Sequence, residues 1–513
     1  MQTSGVVTQH AATEPPVEPS SRLSRLIGAG ILLFLSILIV EVLLEGWLVT
    51  LLGERSVDAE GVTVVDPANW PKTLKSGLYM VLLLLTAAKF TVDRSWQSLR
   101  TKADLALVVV GVVMVAAGLF GGSSAVLIGQ ALFVYFRGVI VLYAWRALKP
   151  SWREVKPLLW IAGGLLVLNA LLGFGQFILG KPGYTSLGWV DLKWVGENRA
   201  QGLLDHPNDL GHLSGLMVLG LLAWFVTAEK VKRRWWVLFG LMAVALSIAQ
   251  SRQSMVAAIA GIAVIAWLHR ANYKRLIAAA LTVVVLSSLP VVLSPANRQQ
   301  LAYRLGGLFN SFQMSGDRDS KDDCLKNPAC SGQDGEIRVL FAKQGAKLWA
   351  ERPILGYGVG QFGGIVAVKD DPEWNKDPRF QKVLGPEGFF LHGFKATSVD
   401  VFWLHLLVEA GTLGVLAYLI WMYLIGAPLF RAAWRGAREG RLRGSPRTQG
   451  ILLWSAATLA FAGLIAAWSP SLEDPLFPPL MFSVLGFGWV LLGRQAGSAP
   501  QGDDDNVRAE RRD

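Results

Sequence analysis

Apolar residues along this chain come in blocks of membrane length separated by short polar segments, and the blocks set the architecture. Such runs occupy residues 26–52, 74–90, 104–120, 126–148, 157–179, 208–227, 235–250, 255–268, 276–293, 399–424, 451–468 and 476–492. At 1.5 Å per residue, a run of about 17–25 residues crosses roughly 30 Å of hydrocarbon, so the pattern predicts about twelve transmembrane helices. One long interval, residues 294–397, holds no such run. Within it the segment EIRVLFAKQGAKLWAE places Ile337, Leu340, Phe341, Leu348 and Trp349 on one helical face, which predicts a short amphipathic helix lying on the membrane surface. The expected fold is an all-α integral membrane protein with one large extracytoplasmic loop. Residues 1–21 read as a disordered cytoplasmic tail, 22–293 as an N-terminal transmembrane bundle, and 294–397 as the loop. Residues 398–493 read as C-terminal transmembrane helices and 494–513 as a second cytoplasmic tail. The first apolar run is too long for a signal-peptide core and is expected to stay as a span.

Composition agrees with the pattern. Of 513 residues, 52% are hydrophobic and 17% charged, and 20 are Trp, whose ring favours the membrane–water boundary. The net charge of +11 would suit nucleic acid, but the surplus sits in short connections between apolar runs and therefore reports topology, not a nucleic-acid surface. Arg22 and Arg25 precede the first run, and basic residues recur in alternate connections: Arg94, Arg100 and Lys102; Arg146, Lys149, Arg153 and Lys156; Lys230, Lys232, Arg233 and Arg234; Arg270, Lys274 and Arg275; Arg431, Arg435, Arg438, Arg441, Arg443 and Arg447. Short loops rich in Lys and Arg stay in the cytoplasm. Both termini are therefore expected in the cytoplasm of a cell (inner) membrane protein, with residues 294–397 outside.

Four charges fall inside or at the edge of apolar runs: Glu41, Glu45, Arg137 and Arg252. Each must face protein or a wet cavity, because an ionised group at mid-bilayer costs at least about 2.5–3.5 kcal/mol. Glu41 and Glu45 share a helical face, and a polar contact with Arg137 is expected in preference to a proton path. Two nucleotide-like motifs fail on context. The run from Gly175 to Lys181 nearly spells a P-loop, but Pro182 stands where a magnesium-binding Ser or Thr is needed. Gly358, Gly360 and Gly363 match GxGxxG without the framing strand and helix, so those glycines are expected to serve tight turns. Asp317, Asp319, Asp322 and Asp323 read as a solvated acidic loop and not a metal site, since the calcium-loop positions are wrongly filled. Cys324 and Cys330 lack metal-type spacing and are near enough in sequence for a small disulfide.

Three arginines remain, which the topology brings to one side: Arg199 in NRAQGLLDHPNDLG, Arg252 in AQSRQS, and Arg338 at the start of the amphipathic segment. Guanidinium binds phosphate oxygens bidentately and stays charged without a metal, so the set suits a pyrophosphate.

With Gly202 and His206-Pro207-Asn208 beside Arg199, Ser251 before Arg252, Arg352-Pro353 to Gly358 after Arg338, and Glu409-Ala-Gly411 to Gly414 further on, the chain resembles the O-antigen ligase and O-antigen polymerase superfamily of membrane glycosyltransferases. The likeness covers roughly residues 198–424. It implies a glycan donor on polyprenyl pyrophosphate, an acceptor sugar hydroxyl on a glycan or lipid, contact with membrane lipids, and no metal, nucleotide or other cofactor. Arg199, Arg252 and Arg338 would hold the pyrophosphate, supported by His206, Asn208 and Glu409. Ligases of this family carry a His-Asn pair where this chain reads Ser398, Val399 and Asp400, and the histidine is taken to activate the acceptor. Here Asp400 would be the base, with His392 as the second candidate, while His405 is expected to meet Glu409 one turn on. This departure favours a repeat-unit polymerase over a lipopolysaccharide ligase. The alternative of another class is a polysaccharide or lipid transporter, which the sequence supports less, since neither internal repeats nor interrupted helices stand out.

The topology has a direct test. With Cys324 and Cys330 replaced, a cysteine at Ser331 or Lys369 should react with a membrane-impermeant thiol reagent in intact cells, and one at Arg441 should not; the reverse labelling would refute the orientation.

Overall fold

The computed structural model describes residues 21–57, 63–270, 272–293, 337–386, 388–389, 398–438 and 445–497. His392, Cys324, Cys330 and the Asp317–Asp323 stretch lie outside these residues. Every apolar run has become a helix: α1 Arg22–Leu51, α2 Trp70–Val92, α3 Lys102–Phe120, α4 Ala125–Leu148 and α5 Trp152–Leu179. After the short α6 Lys181–Thr185 and α7 Lys193–Gly196 come α8 Pro207–Thr227, α9 Arg233–Ile248, α10 Arg252–Leu268 and α11 Tyr273–Leu293. The polar interval contributes α12 Ile337–Glu351, α13 Ile365–Asp370 and α14 Pro378–Leu384, and the chain closes with α15 Phe402–Arg438, α16 Pro446–Ile465 and α17 Phe477–Gly497. The β structure among the described residues is one antiparallel hairpin, Glu54–Val57 against Thr63–Asp66. The protein is an all-α integral membrane protein. Nine helices among the described residues are long and apolar enough to cross a membrane; α9 and α10, with 16 and 17 residues, are shorter than that length.

Local chemistry starts these helices where the polar connections end. Thr101 with Asp104 and Ser151 with Glu154 form capping boxes, and Ser124 caps α4 through Leu127 N–H. Burial then sorts the bundle. In the apolar window of α8, 78% of residues are buried, against 22% in α5, so α8 runs through the centre and α5 along the lipid-facing perimeter. Around α8 pack α9, α10 and α16, while α17 lies along α4 and α15 along α3. A second, smaller apolar core sits at one end of the bundle, where Phe341, Tyr357, Phe362, Trp374, Phe380 and Phe389 pack together. The apolar stripe of α12 is therefore buried against protein, with Gly345 against Leu404 and Trp349 Nε1 donating to Thr412 Oγ1 at 3.0 Å. That corrects the expectation of a helix resting on the membrane surface.

The 37-residue α15 is interrupted at Gly411, whose φ of +64° is not helical. A continuous helix would pair the N–H of Thr412 and Leu413 with the carbonyls of Val408 and Glu409. Instead Thr412 N–H donates to Pro353 O at 2.8 Å and Leu413 N–H to Ile354 O at 3.3 Å. The orphaned carbonyls of Val408 and Glu409 accept from Tyr357 N–H at 2.8 Å and Gly358 N–H at 2.9 Å. The glycine-rich stretch thus replaces two helix rungs with its own backbone, which the sequence did not foretell. Glycine is required on both sides: a Cβ on Gly356 would stand 2.3 Å from Val408 O, and one on Gly411 2.2 Å from Ile354 O.

Gly411→Ala and Gly356→Ala should each destabilise the protein by about 1–3 kcal/mol or more, as overpacking adds to a left-handed backbone strain. Gly463→Ala in α16, where a Cβ meets open space, should not. Unfolding in a detergent titration followed by circular dichroism distinguishes the two outcomes.

Candidate functional site

The connections that join α1 to α2, α3 to α4, α5 to α8 and α16 to α17 all lie at the end of the bundle occupied by α12 to α14. Between them is a cavity of about 1090 Å³, with Arg338, Asp400, His206, Asn208, Lys72 and Lys369 among its lining side chains. Further down, its wall contains Glu45, Lys75, Arg137, Asp209, His212 and Asp474. It is a mixed-charge chamber with cations spread over several helices.

Four of the sequence-derived candidates meet here. Arg338, at the start of α12, reaches Asp400 with Nη2 3.6 Å from Oδ2 and donates through Nε to Trp468 O at 3.2 Å. Their side chains are 23% and 46% exposed, so the pair is open to whatever fills the cavity. Across from it, His206 caps α8: its Nδ1 accepts from Asn208 N–H at 2.9 Å, which leaves the ring proton on Nε2. Burial, reinforced by Arg199 and Lys193, pushes the His206 imidazole down to about 3, so it is neutral across the physiological range. Burial also pushes the Asp474 carboxyl up.

Arg199 stands behind this wall. Its Nη2 donates to Asn208 Oδ1 at 2.7 Å, its Nε to Ala249 O at 3.1 Å, its Nη1 lies 3.6 Å from Glu197, and the guanidinium covers Trp194. The Arg199, His206 and Asn208 motif is thus one hydrogen-bonded unit. Arg252 begins α10 on the neighbouring connection, where Gln250 Nε2 donates to Asn198 O at 2.9 Å; its side chain is exposed and it is not part of the cavity lining. Glu409 is elsewhere: fully enclosed, it accepts from Tyr135 OH at 3.1 Å and Phe362 N–H at 3.0 Å, and so clamps the loop against α4.

Two expected contacts are corrected. Glu45 pairs with Lys75 of α2, while Arg137 donates to the carbonyl of Glu473. His405 meets Glu473 at 2.7 Å and not Glu409, whose carboxylate is taken instead by Tyr135 OH and Phe362 N–H. Sequence reasoning also missed Gln176 and Asn169. Gln176 Oε1 accepts from Gln201 N–H at 3.1 Å and Gly202 N–H at 2.7 Å, and Asn169 Oδ1 from Leu203 N–H at 2.8 Å, so α5 holds the turn that presents His206. The signal was available, since an amide inside an apolar span needs a partner. Gln176 falls within the P-loop look-alike, whose Gly175 and Gln176 are helical.

No curated protein matches the chain. A family model described as O-antigen ligase matches residues 237–419, a stretch that contains Arg252, Arg338, Asp400, Glu409 and the break at Gly411. The match and the sequence motifs agree, and over this stretch, about a third of its length, this multi-pass membrane protein is similar to the O-antigen ligase family.

Proposed function

We propose that the chain is an inner-membrane polysaccharide repeat-unit polymerase, which transfers a glycan from a polyprenyl-pyrophosphate donor to a sugar hydroxyl of the growing chain. The observation that carries this reading is the Arg338–Asp400 pair at 3.6 Å inside a chamber whose other cations come from α2, α4 and α13. The donor's pyrophosphate competes with Asp400 for Arg338, since guanidinium and phosphate pair bidentately. Release of the carboxylate then lets it take the proton of the acceptor hydroxyl. The acceptor oxygen forms a bond to the anomeric carbon, the bond from that carbon to the phosphate oxygen breaks, and the pyrophosphate leaves with the electron pair. One displacement inverts the anomeric centre. Arg199 acts through Asn208, and Arg252 meets the pyrophosphate as the lipid-linked donor enters from the rim.

The pairing predicts ordered binding, donor before acceptor. It also explains why an aspartate can serve where ligases of the family use histidine: its proton-accepting state is unmasked by the substrate. A lipopolysaccharide ligase shares every one of these steps and differs in the acceptor alone.

Asp400→Asn should retain donor binding yet lose transfer by on the order of a hundredfold or more, the range of a general base. Arg338→Ala should weaken donor binding, and Arg338→Lys should rescue it in part, because lysine keeps the charge and loses the fork. Transfer from purified polyprenyl-pyrophosphate oligosaccharide in detergent, with helicity checked by circular dichroism, reads both. Wild-type activity in Asp400→Asn would remove Asp400 from the mechanism.

A further inference from the structure

The proposed function uses Asp400 but leaves unexplained what holds it, since it sits on a non-helical stretch, residues 398–401, just before α15. The neighbouring backbone is tied to a pair of side chains that the mechanism does not use. His405 and Glu473 are the most enclosed titratable pair at this end of the molecule, with side chains 0% and 2% exposed. His405 Nδ1 lies 2.7 Å from Glu473 Oε1, and Nε2 meets the carbonyl of Val399. A carbonyl only accepts, so Nε2 carries a proton, and the remaining proton is shared between Nδ1 and the carboxylate.

Each end of the pair reaches a different piece of the cavity wall. Val399, held through its carbonyl, also donates its N–H to Gly363 O at 3.1 Å and directly precedes Asp400. The second carboxylate oxygen of Glu473 accepts from Ile365 N–H at 3.4 Å, at the start of α13, which contributes Ile365, Val366 and Lys369 to the cavity. The backbone carbonyl of Glu473 accepts from Arg137, and the next residue is Asp474. A buried pair of this kind adds little net stability but fixes geometry, because every alternative arrangement strands a charge or a polar group.

We infer that His405 and Glu473 are positioning residues, a buried latch that sets Asp400 against Arg338 by anchoring Val399, α13 and the loop before α17 to one point. The inference rests on the reading of Asp400 as the proton acceptor. It concerns geometry, and so it can be separated from that reading.

Gly364 offers a wedge that alters neither titratable group. Its φ of −74° suits any residue, and a Cβ there would stand 2.8 Å from Glu473 Oε2 and 3.4 Å from His405 Nδ1. The test compares Gly364→Ala, His405→Gln and His405→Ala in the purified full chain. In glycan transfer, kcat should fall by on the order of tenfold or more in Gly364→Ala and His405→Ala, with the donor KM nearly constant, as misplacement of a reacting group costs rate more than binding. His405→Gln, able to keep the bond to Val399, should retain more. With Cys324 and Cys330 replaced, a nitroxide label at Asp400→Cys supplies a readout that needs no activity: its mobility should rise in the order unaltered latch, His405→Gln, His405→Ala, and should rise in Gly364→Ala. Unchanged kcat per folded molecule and unchanged label mobility in Gly364→Ala would overturn the latch. If the otherwise unaltered chain transfers no glycan, the functional reading fails and the label alone decides the latch.

Discussion

The structure depends on an exchange of backbone hydrogen bonds between a loop and a broken helix. Where α15 stops being helical at Gly411, two carbonyls and two N–H groups lose their helical partners, and the segment from Pro353 to Gly358 supplies all four replacements. Buried backbone groups cannot go unpaired without a cost of about 1–3 kcal/mol each, so the loop and the break require one another. This joint places α12 beside the start of α15, and therefore Arg338 beside Asp400. Glu409, two residues before the break, extends the joint to Tyr135 and Phe362 and closes it from within.

Charge inside the bundle is organised around the cavity that this joint covers. Glu45 with Lys75, and Arg137 on a backbone carbonyl, put polar side chains within apolar helices but on the wall of one chamber. Such groups are tolerated where they face each other or water, and costly where they face lipid. The outward faces of neighbouring helices show the complement: on α3 and α5, Leu105, Val108, Leu119, Trp160 and Ile178 are exposed, as a hydrocarbon solvent requires. The polar chamber and the apolar perimeter are two solutions of the same solvation problem.

The Arg338–Asp400 pair links architecture to chemistry. A guanidinium and a carboxylate that are partly open to a large cavity hold each other loosely, because exposed pairs contribute at most about 1 kcal/mol. A polyanionic ligand could therefore separate them at little expense, and under the proposed function the pair would sense the donor.

Which stretches are helices is legible in the hydropathy pattern alone, since each apolar run is long and hydropathy needs no tertiary information to act. The sequence also placed Arg199, His206 and Asn208 in one motif, because they are near neighbours whose bonds run through a single helix cap. It marked Arg338 and Asp400 as important, though their meeting spans an interval that no local rule covers. That Glu45 takes Lys75 as its partner, that His405 takes Glu473, and that Glu409 serves the loop and not the cavity follows from packing between distant segments. So does the break at Gly411, where a glycine in an apolar run reads as tolerable helix. The physical reason is common to all four. Periodicity and local capping are properties of one segment, whereas the partner of a buried polar group is whichever distant segment packs against it, and that is fixed only when the whole bundle closes.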